Sequence, residues 1–131
     1  MIVLDASAAL ALLLRRPLAS LVEDWLADAD QVAHGPHLLP VEVAQVVRRF
    51  HAAGVLSAER GEQALADLVD LGVVLHDHEA LLPTVWRLRD QLPVSDALYL
   101  ALAGALDAPL LTFDAALAGA TGHGARVVLL G

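Results

Sequence analysis

The stretch from Ser95 to Asp114, SDALYLALAGALDAPLLTFD, constrains the fold more than any other part of the chain. Ala97 to Leu106 are apolar on nearly every side, which predicts a buried helix and not a surface one. Asp96 stands at the start of that helix, where free backbone N–H groups and the helix dipole favour an anion. Asp107-Ala108-Pro109 ends it, because proline cannot continue a helix. Leu110 to Phe113 read as a short buried strand that stops at Asp114. A helix of about 11 residues spans roughly 16 Å. A strand of about 5 residues spans roughly 17 Å. The two lengths cancel, so the chain returns to the edge from which it set out. Asp96 and Asp114 are therefore expected to meet, and two carboxylates at one edge of an apolar block need a reason.

The rest of the chain alternates strands with helices or helix pairs. Ile2 to Leu4 is a β-type run ended by Asp5, and Ala6 to Leu14 is helical by propensity. Leu18, Leu21, Val22, Trp25 and Leu26 recur at helical spacing, predicting a helix over roughly 18–29. Gln31 to His34 is a weak strand candidate, punctuated by Gly35-Pro36. Pro40 suits a first helical position, and Val43, Val46, Val47 and Phe50 form a stripe that Gly54 ends. Ser57 is a candidate N-cap for a helix that Gly72 ends. Val73 to Leu75 read as a strand, and Leu81, Val85, Leu88 and Leu92 line a further helix between Pro83 and Pro93. A short helix over about 115–120 and a strand over 127–130 close the sequence. This order predicts an α/β, three-layer fold over residues 1–131 as a single domain. Its centre is a mostly parallel five-stranded sheet flanked by helices.

Of the 131 residues, 57% are apolar and 18% charged, enough to bury a core. Cysteine is absent, so disulfides and thiolate metal sites are excluded, as suits a reducing compartment. Lysine is absent too; every basic residue apart from histidine is arginine, which removes P-loop and Schiff-base chemistry. Ala6 to Leu14 has the length of a signal-peptide core, but Asp5 precedes it, no basic segment does, and Arg15-Arg16 follow. Export is not expected, and no uncharged apolar run reaches the roughly 18 residues of a membrane span. The expected location is the cytoplasm. The formal net charge of −8 argues against a general polyanion binder, but not against a nuclease whose acids hold metal.

In a parallel sheet, strand C-termini and the N-termini of the helices that follow share one edge, where ligands bind. Asp5 and Asp114 stand at strand C-termini, Asp96 at a helix N-terminus, and Glu42 in the first turn of its helix. All four map to that edge. Converging carboxylates repel, so without a counter-charge at least one takes up a proton more readily than usual. A hard divalent cation such as Mg²⁺ or Mn²⁺ removes the conflict, and two would neutralise all four acids. Such a site suits phosphate chemistry. Each acid also has a local explanation: Asp5, Asp96 and Asp114 as helix caps, Glu42 as a partner of the helix dipole. Ser7 and Thr112 lie beside the acids and can orient a ligand or water, or simply bond the local backbone.

These residues resemble the motifs of PIN domains: Ile2-Val3-Leu4-Asp5-Ala6-Ser7, Leu39-Pro40-Val41-Glu42-Val43, Ser95-Asp96-Ala97-Leu98-Tyr99-Leu100-Ala101-Leu102-Ala103 and Leu110-Leu111-Thr112-Phe113-Asp114. Within that family the chain is most similar to the VapC toxins of bacterial type II toxin–antitoxin pairs. The likeness covers nearly the whole chain, in order. It implies a Mg²⁺- or Mn²⁺-dependent endoribonuclease of the bacterial cytoplasm. Asp5, Glu42, Asp96 and Asp114 would be its catalytic and metal-binding set, with Ser7 and Thr112 in support. It implies a homodimer, an RNA substrate and a VapB-type antitoxin that occludes the site. One departure is that Asp114 is followed by Ala115-Ala116-Leu117, where many members carry a basic residue.

Other signals are read as structural. His76-Asp77-His78 is expected to be a solvated turn, and His34, His37, His51 and His123 are assigned no role. Arg49, seven residues after Glu42, is in reach of a phosphate on that face but is expected at a solvated helix end. Arg87 and Arg89 read as surface charges, and Trp25, Trp86 and Phe50 as core or dimer contacts. A phosphoacceptor receiver domain has a similar length and sheet, but that family uses a late lysine and paired acids after its first strand. A non-catalytic PIN-like binding module, or a PIN nuclease of nucleic-acid processing without a toxic role, remains the alternative.

Overall fold

The computed structural model describes Met1–Gly131. Five short strands form one all-parallel sheet: β1 (Ile2–Leu4), β2 (Ala33–Pro36), β3 (Val74–His76), β4 (Leu110–Thr112) and β5 (Val127–Leu129), in the order β3-β2-β1-β4-β5. Seven α-helices connect them: α1 (Ala6–Leu13), α2 (Ala19–Leu26), α3 (Leu38–Ala52), α4 (Ala58–Asp70), α5 (Leu82–Arg87), α6 (Val94–Leu106) and α7 (Ala115–Gly119). No helix is long and apolar enough to cross a membrane.

The centre is β1, the short apolar run at the start of the sequence. It is paired on both sides, and all three of its residues are fully buried. Alternate side chains of a strand face opposite sides. Val3 accordingly joins the larger core cluster, while Ile2 and Leu4 join a smaller one on the other face with Ala8, Val22 and Leu111. From β1 the chain builds outward through β2 and β3, then returns to the opposite side as β4 and β5. The direction of winding therefore switches between β1 and β4, the place where an open α/β sheet leaves a cleft at its carboxyl edge.

The buried helix expected over 97–106 is α6, and it lies against β1, β2 and β4. Ala97 through Ala103 are all buried, with Leu100 and Ala103 fully so. Asp107 ends α6 in the left-handed conformation (φ 50°), and the Ala108 N–H reaches back to the Ala103 carbonyl. A short polar residue tolerates that conformation better than most, and Pro109 then forbids any further turn. The chain doubles back directly into β4.

Four boundaries differ from the sequence reading. The helix expected over 81–92 is a 3₁₀ turn (Glu79–Leu81) followed by α5, which stops at Arg87. Leu88 and Leu92 are still buried, but from the turns that follow, so their spacing imitates a helical stripe. β2 starts at Ala33 and runs through Gly35-Pro36 instead of ending there. α3 starts at Leu38, two residues before Pro40, so Glu42 stands beyond the first turn. α6 starts at Val94, so Asp96 sits inside its first turn and Pro93 takes the capping position.

Gly35 is a packing glycine, not a turn signal. A methyl group there would lie 2.8 Å from Cδ2 of Leu39, itself fully buried where α3 meets the sheet. Gly35→Ala is therefore expected to cost about 1–3 kcal/mol by overpacking. Urea unfolding checks this: the midpoint should fall with the slope unchanged. An unchanged midpoint would mean that Leu39 moves aside freely.

Candidate metal centre

Asp5 leaves the end of β1 with only 4% of its surface exposed. Its Oδ1 accepts the Ala8 N–H (2.9 Å), which caps α1, and the Ser7 hydroxyl (2.6 Å). Its Oδ2 accepts the Thr112 hydroxyl from the end of β4. Both hydroxyls are in turn held by the 112–114 segment: Ser7 Oγ accepts the Phe113 N–H (3.0 Å) and Thr112 Oγ1 the Asp114 N–H (2.9 Å). The carboxylate thus stitches β1, α1 and β4 together. A carboxylate offers about four acceptor positions. Three donors leave one on Oδ2 free.

Asp114 follows β4 and caps α7, accepting the Ala116 N–H at 2.9 Å. The capping explanation therefore holds for Asp5 and Asp114. It fails for Asp96, which makes no cap bond. Glu42 has a partner that sequence reasoning missed: the Tyr99 hydroxyl donates to its Oε1 at 2.5 Å. Tyr99 is 2% exposed, and burial together with the Glu42 carboxylate drives its pKa far upward, so the phenol remains a donor. The signal was present, since Asp96 and Tyr99 are three residues apart and share a face of α6.

Burial is the main cause that pushes the Asp5 carboxyl above its ordinary value. The bonds from Ser7, Thr112 and Ala8 oppose it, and the Asp114 charge adds to it. Asp96 is also raised, first by burial and then by Asp114, Glu42 and Asp5 in that order. Asp96 is thus within electrostatic reach of the other three acids of the sequence reading, and Asp5 of Asp114. Every hydrogen bond they accept comes from a hydroxyl or a backbone amide, and none from an arginine or histidine. In this conformation no three His, Asp or Glu side chains form a ready cage for a metal. The donor set nonetheless fits a hard divalent ion: carboxylate oxygens, spare acceptor positions and an uncompensated negative charge.

The remaining histidines are placed differently from expectation. His76 lies in β3, and its Nε2 is 2.8 Å from Nδ1 of His34 on β2. His78 Nε2 accepts the Leu38 N–H at the start of α3 (3.1 Å). The histidine run tethers two strands and a helix and is not a solvated turn. Of the two roles expected for Trp86, core or dimer contact, its 68% exposure removes the first; the Arg89 guanidinium lies 4.8 Å from its ring centre.

The raised carboxyls fix the pH behaviour of the metal-free protein. A group held protonated to higher pH in the folded chain contributes stability that is fully present below its ordinary value of 3.8. That contribution is lost as pH rises through the raised folded value. The melting temperature should therefore fall more steeply for the wild type than for Asp96→Asn as pH rises from about 4 towards 7. Melting temperatures that stay equally spaced would show that neither burial nor its neighbours raise Asp96.

A family model described as PIN domain matches residues 2–122. Ribonuclease VapC1 of Mycobacterium tuberculosis is 36% identical over 129 residues, covering 98% of this chain and 96% of that one. VapC ribonuclease Mb0985 of Mycobacterium bovis is 40% identical over 114 residues, covering 87% and 86%. Among solved structures, VapBC2 from Rickettsia felis bound to a DNA fragment from its promoter superposes with a TM-score of 0.75. It is 14% identical and covered over 100% of both chains, so it attests the fold alone. FitAB bound to a DNA fragment gives 0.61 at 18% identity, over 98% of this chain and 94% of that one. The chain belongs to the PIN-domain family and is a VapC-type member of it.

Proposed function

We propose that this protein is a Mg²⁺- or Mn²⁺-dependent endoribonuclease, the toxin of a VapBC-type pair, working as a single domain. The observation that carries this reading is the set of four carboxylates from four separate elements, at the switch point of the sheet, with no positive side chain bonded to any of them. The ribonuclease names of relatives that align over nearly the whole chain support it.

Asp5, Glu42, Asp96 and Asp114 would hold the metal. When bound, it supplies a more acidic water and stabilises the charge that develops on the leaving oxygen. The chain's own residues prepare for this. Ser7 and Thr112 fix the Asp5 carboxylate in one orientation, which lowers the cost of ordering it. Tyr99 fixes Glu42 from α6. Asp96 and Asp114 carry the repulsion that a cation relieves. The substrate would be RNA, the new P–O bond forming from water as the bond to the ribose oxygen breaks. A VapB-type antitoxin, a homodimer and the bacterial cytoplasm complete the reading. They follow from the resemblance to VapC proteins, which the likeness in fold to VapBC2 of Rickettsia felis supports.

Cleavage of a mixed RNA pool by purified protein, with and without Mn²⁺, tests the activity. Asp96→Asn purified in parallel controls for contaminating nucleases. Metal-dependent cutting should be present in the wild type and fall by at least about a hundredfold in the variant. Equal cutting by both proteins would overturn the reading. No cutting, together with no new RNA ends in cells that express the protein, would leave the binding-module alternative.

A further inference from the structure

A cavity of about 410 Å³ opens beside the acid edge, lined by Ser7, Ala11, Arg16, Pro17, Leu18 and Phe113. That is within the size range of small-molecule sites. Its inner wall is Ser7, whose hydroxyl donates to Asp5 and accepts the Phe113 N–H, so the cavity begins one side chain away from the buried carboxylate. Its floor runs along α1 from Ser7 to Ala11, one helical turn or roughly 6 Å. Arg16 is the only charged residue of the lining.

Arg16 is held in place by its backbone. Arg15, just before it, adopts the left-handed conformation (φ 52°) that favours glycine. This left-handed residue closes the C-terminus of α1 and so fixes the direction in which the chain leaves the helix. The Arg16 N–H donates to the Ala11 carbonyl (3.0 Å), and the Arg16 carbonyl accepts the Ala19 N–H (2.9 Å). Pro17 restricts Arg16 to extended backbone. The guanidinium carbon lies 5.6 Å from the ring centre of Phe50, and none of its N–H groups is committed to a carboxylate. An arginine with no carboxylate partner and an aromatic ring thus line one cavity that begins beside the acid edge, and a flat base followed by a phosphate complements both.

We propose that this cavity is a nucleotide subsite, in which a base of the RNA strand packs against Phe113 and Arg16 holds a phosphate beyond the one being cut. This deepens the nuclease reading and rests on it. An aromatic ring accepts any base, because every base has a π-face, and the arginine supplies a two-pronged contact to phosphate oxygens. The chain carries eight arginines, and Ala115 and Ala116 after the last acid bear no charge, so Arg16 is the cation connected to the acid edge through the cavity.

The test uses the Asp96→Asn protein, so that RNA is bound and not consumed. The probe is a fluorescent, random-sequence, single-stranded ten-nucleotide RNA, followed by anisotropy at several salt concentrations. Adding Arg16→Ala should weaken binding by about tenfold and flatten the log–log salt slope by about 0.7. Arg16→Lys should restore the slope, which a merely structural role would not do. Leu18→Trp fills the slot from its half-exposed mouth without touching the core, and should weaken binding by about fivefold or more at an unchanged slope. Arg87→Ala, on exposed α5, is the control and should bind as the background does. If Arg16→Ala and Leu18→Trp both bind as the background does, the subsite is wrong. In that case the wild type, if it still cleaves RNA, keeps the nuclease reading intact. If the wild type neither cleaves RNA nor the background binds it, the nuclease reading fails and takes the subsite with it.

Discussion

The structure depends on how the buried carboxylate of Asp5 is satisfied. Burying a carboxylate is costly unless its oxygens are bonded. Here two hydroxyls and one amide do this, and both hydroxyls are anchored in turn by the backbone after β4. The contact joins residues more than a hundred positions apart. It closes the fold at the seam between β1 and β4, and the same seam is the switch point where a ligand cleft is expected. Fold closure and site orientation are therefore one set of bonds.

That arrangement leaves an electrostatic debt in the metal-free chain. Asp96 lacks a capping bond and is raised first by burial and then by three neighbouring carboxylates. Glu42 is held near them by a phenol, not by a cation. The edge therefore brings four acids together with no base bonded to any of them. A divalent ion offsets their repulsion at neutral pH.

Much of this was legible from residues alone. The cancelling lengths of α6 and β4, with Pro109 between them, place Asp96 and Asp114 at one edge. The strand–helix order places Asp5 and Glu42 there as well. Less legible were the features that depend on tertiary contacts. Glu42 lies beyond the first turn of α3 because the helix starts before Pro40, and helix starts are blurred when no capping side chain marks them. Tyr99 was hidden in an apolar helix, where an aromatic residue reads as core. The Leu81–Leu92 stripe was misread because a 3₁₀ turn, a short helix and tight turns bury the same spacing as one helix. The histidines looked isolated because the bond between His34 and His76 exists only once β2 and β3 are neighbours.

Calorimetric titration of the metal-free protein with Mn²⁺ shows whether the acid edge is built around a divalent cation. Saturable binding with a release of protons is expected, because carboxyls raised above their ordinary range must give up any proton they hold in order to bind. Both the binding and the proton release should be lost in Asp96→Asn and in Asp5→Asn. No binding at millimolar Mn²⁺, or binding left unchanged by both substitutions, would contradict it.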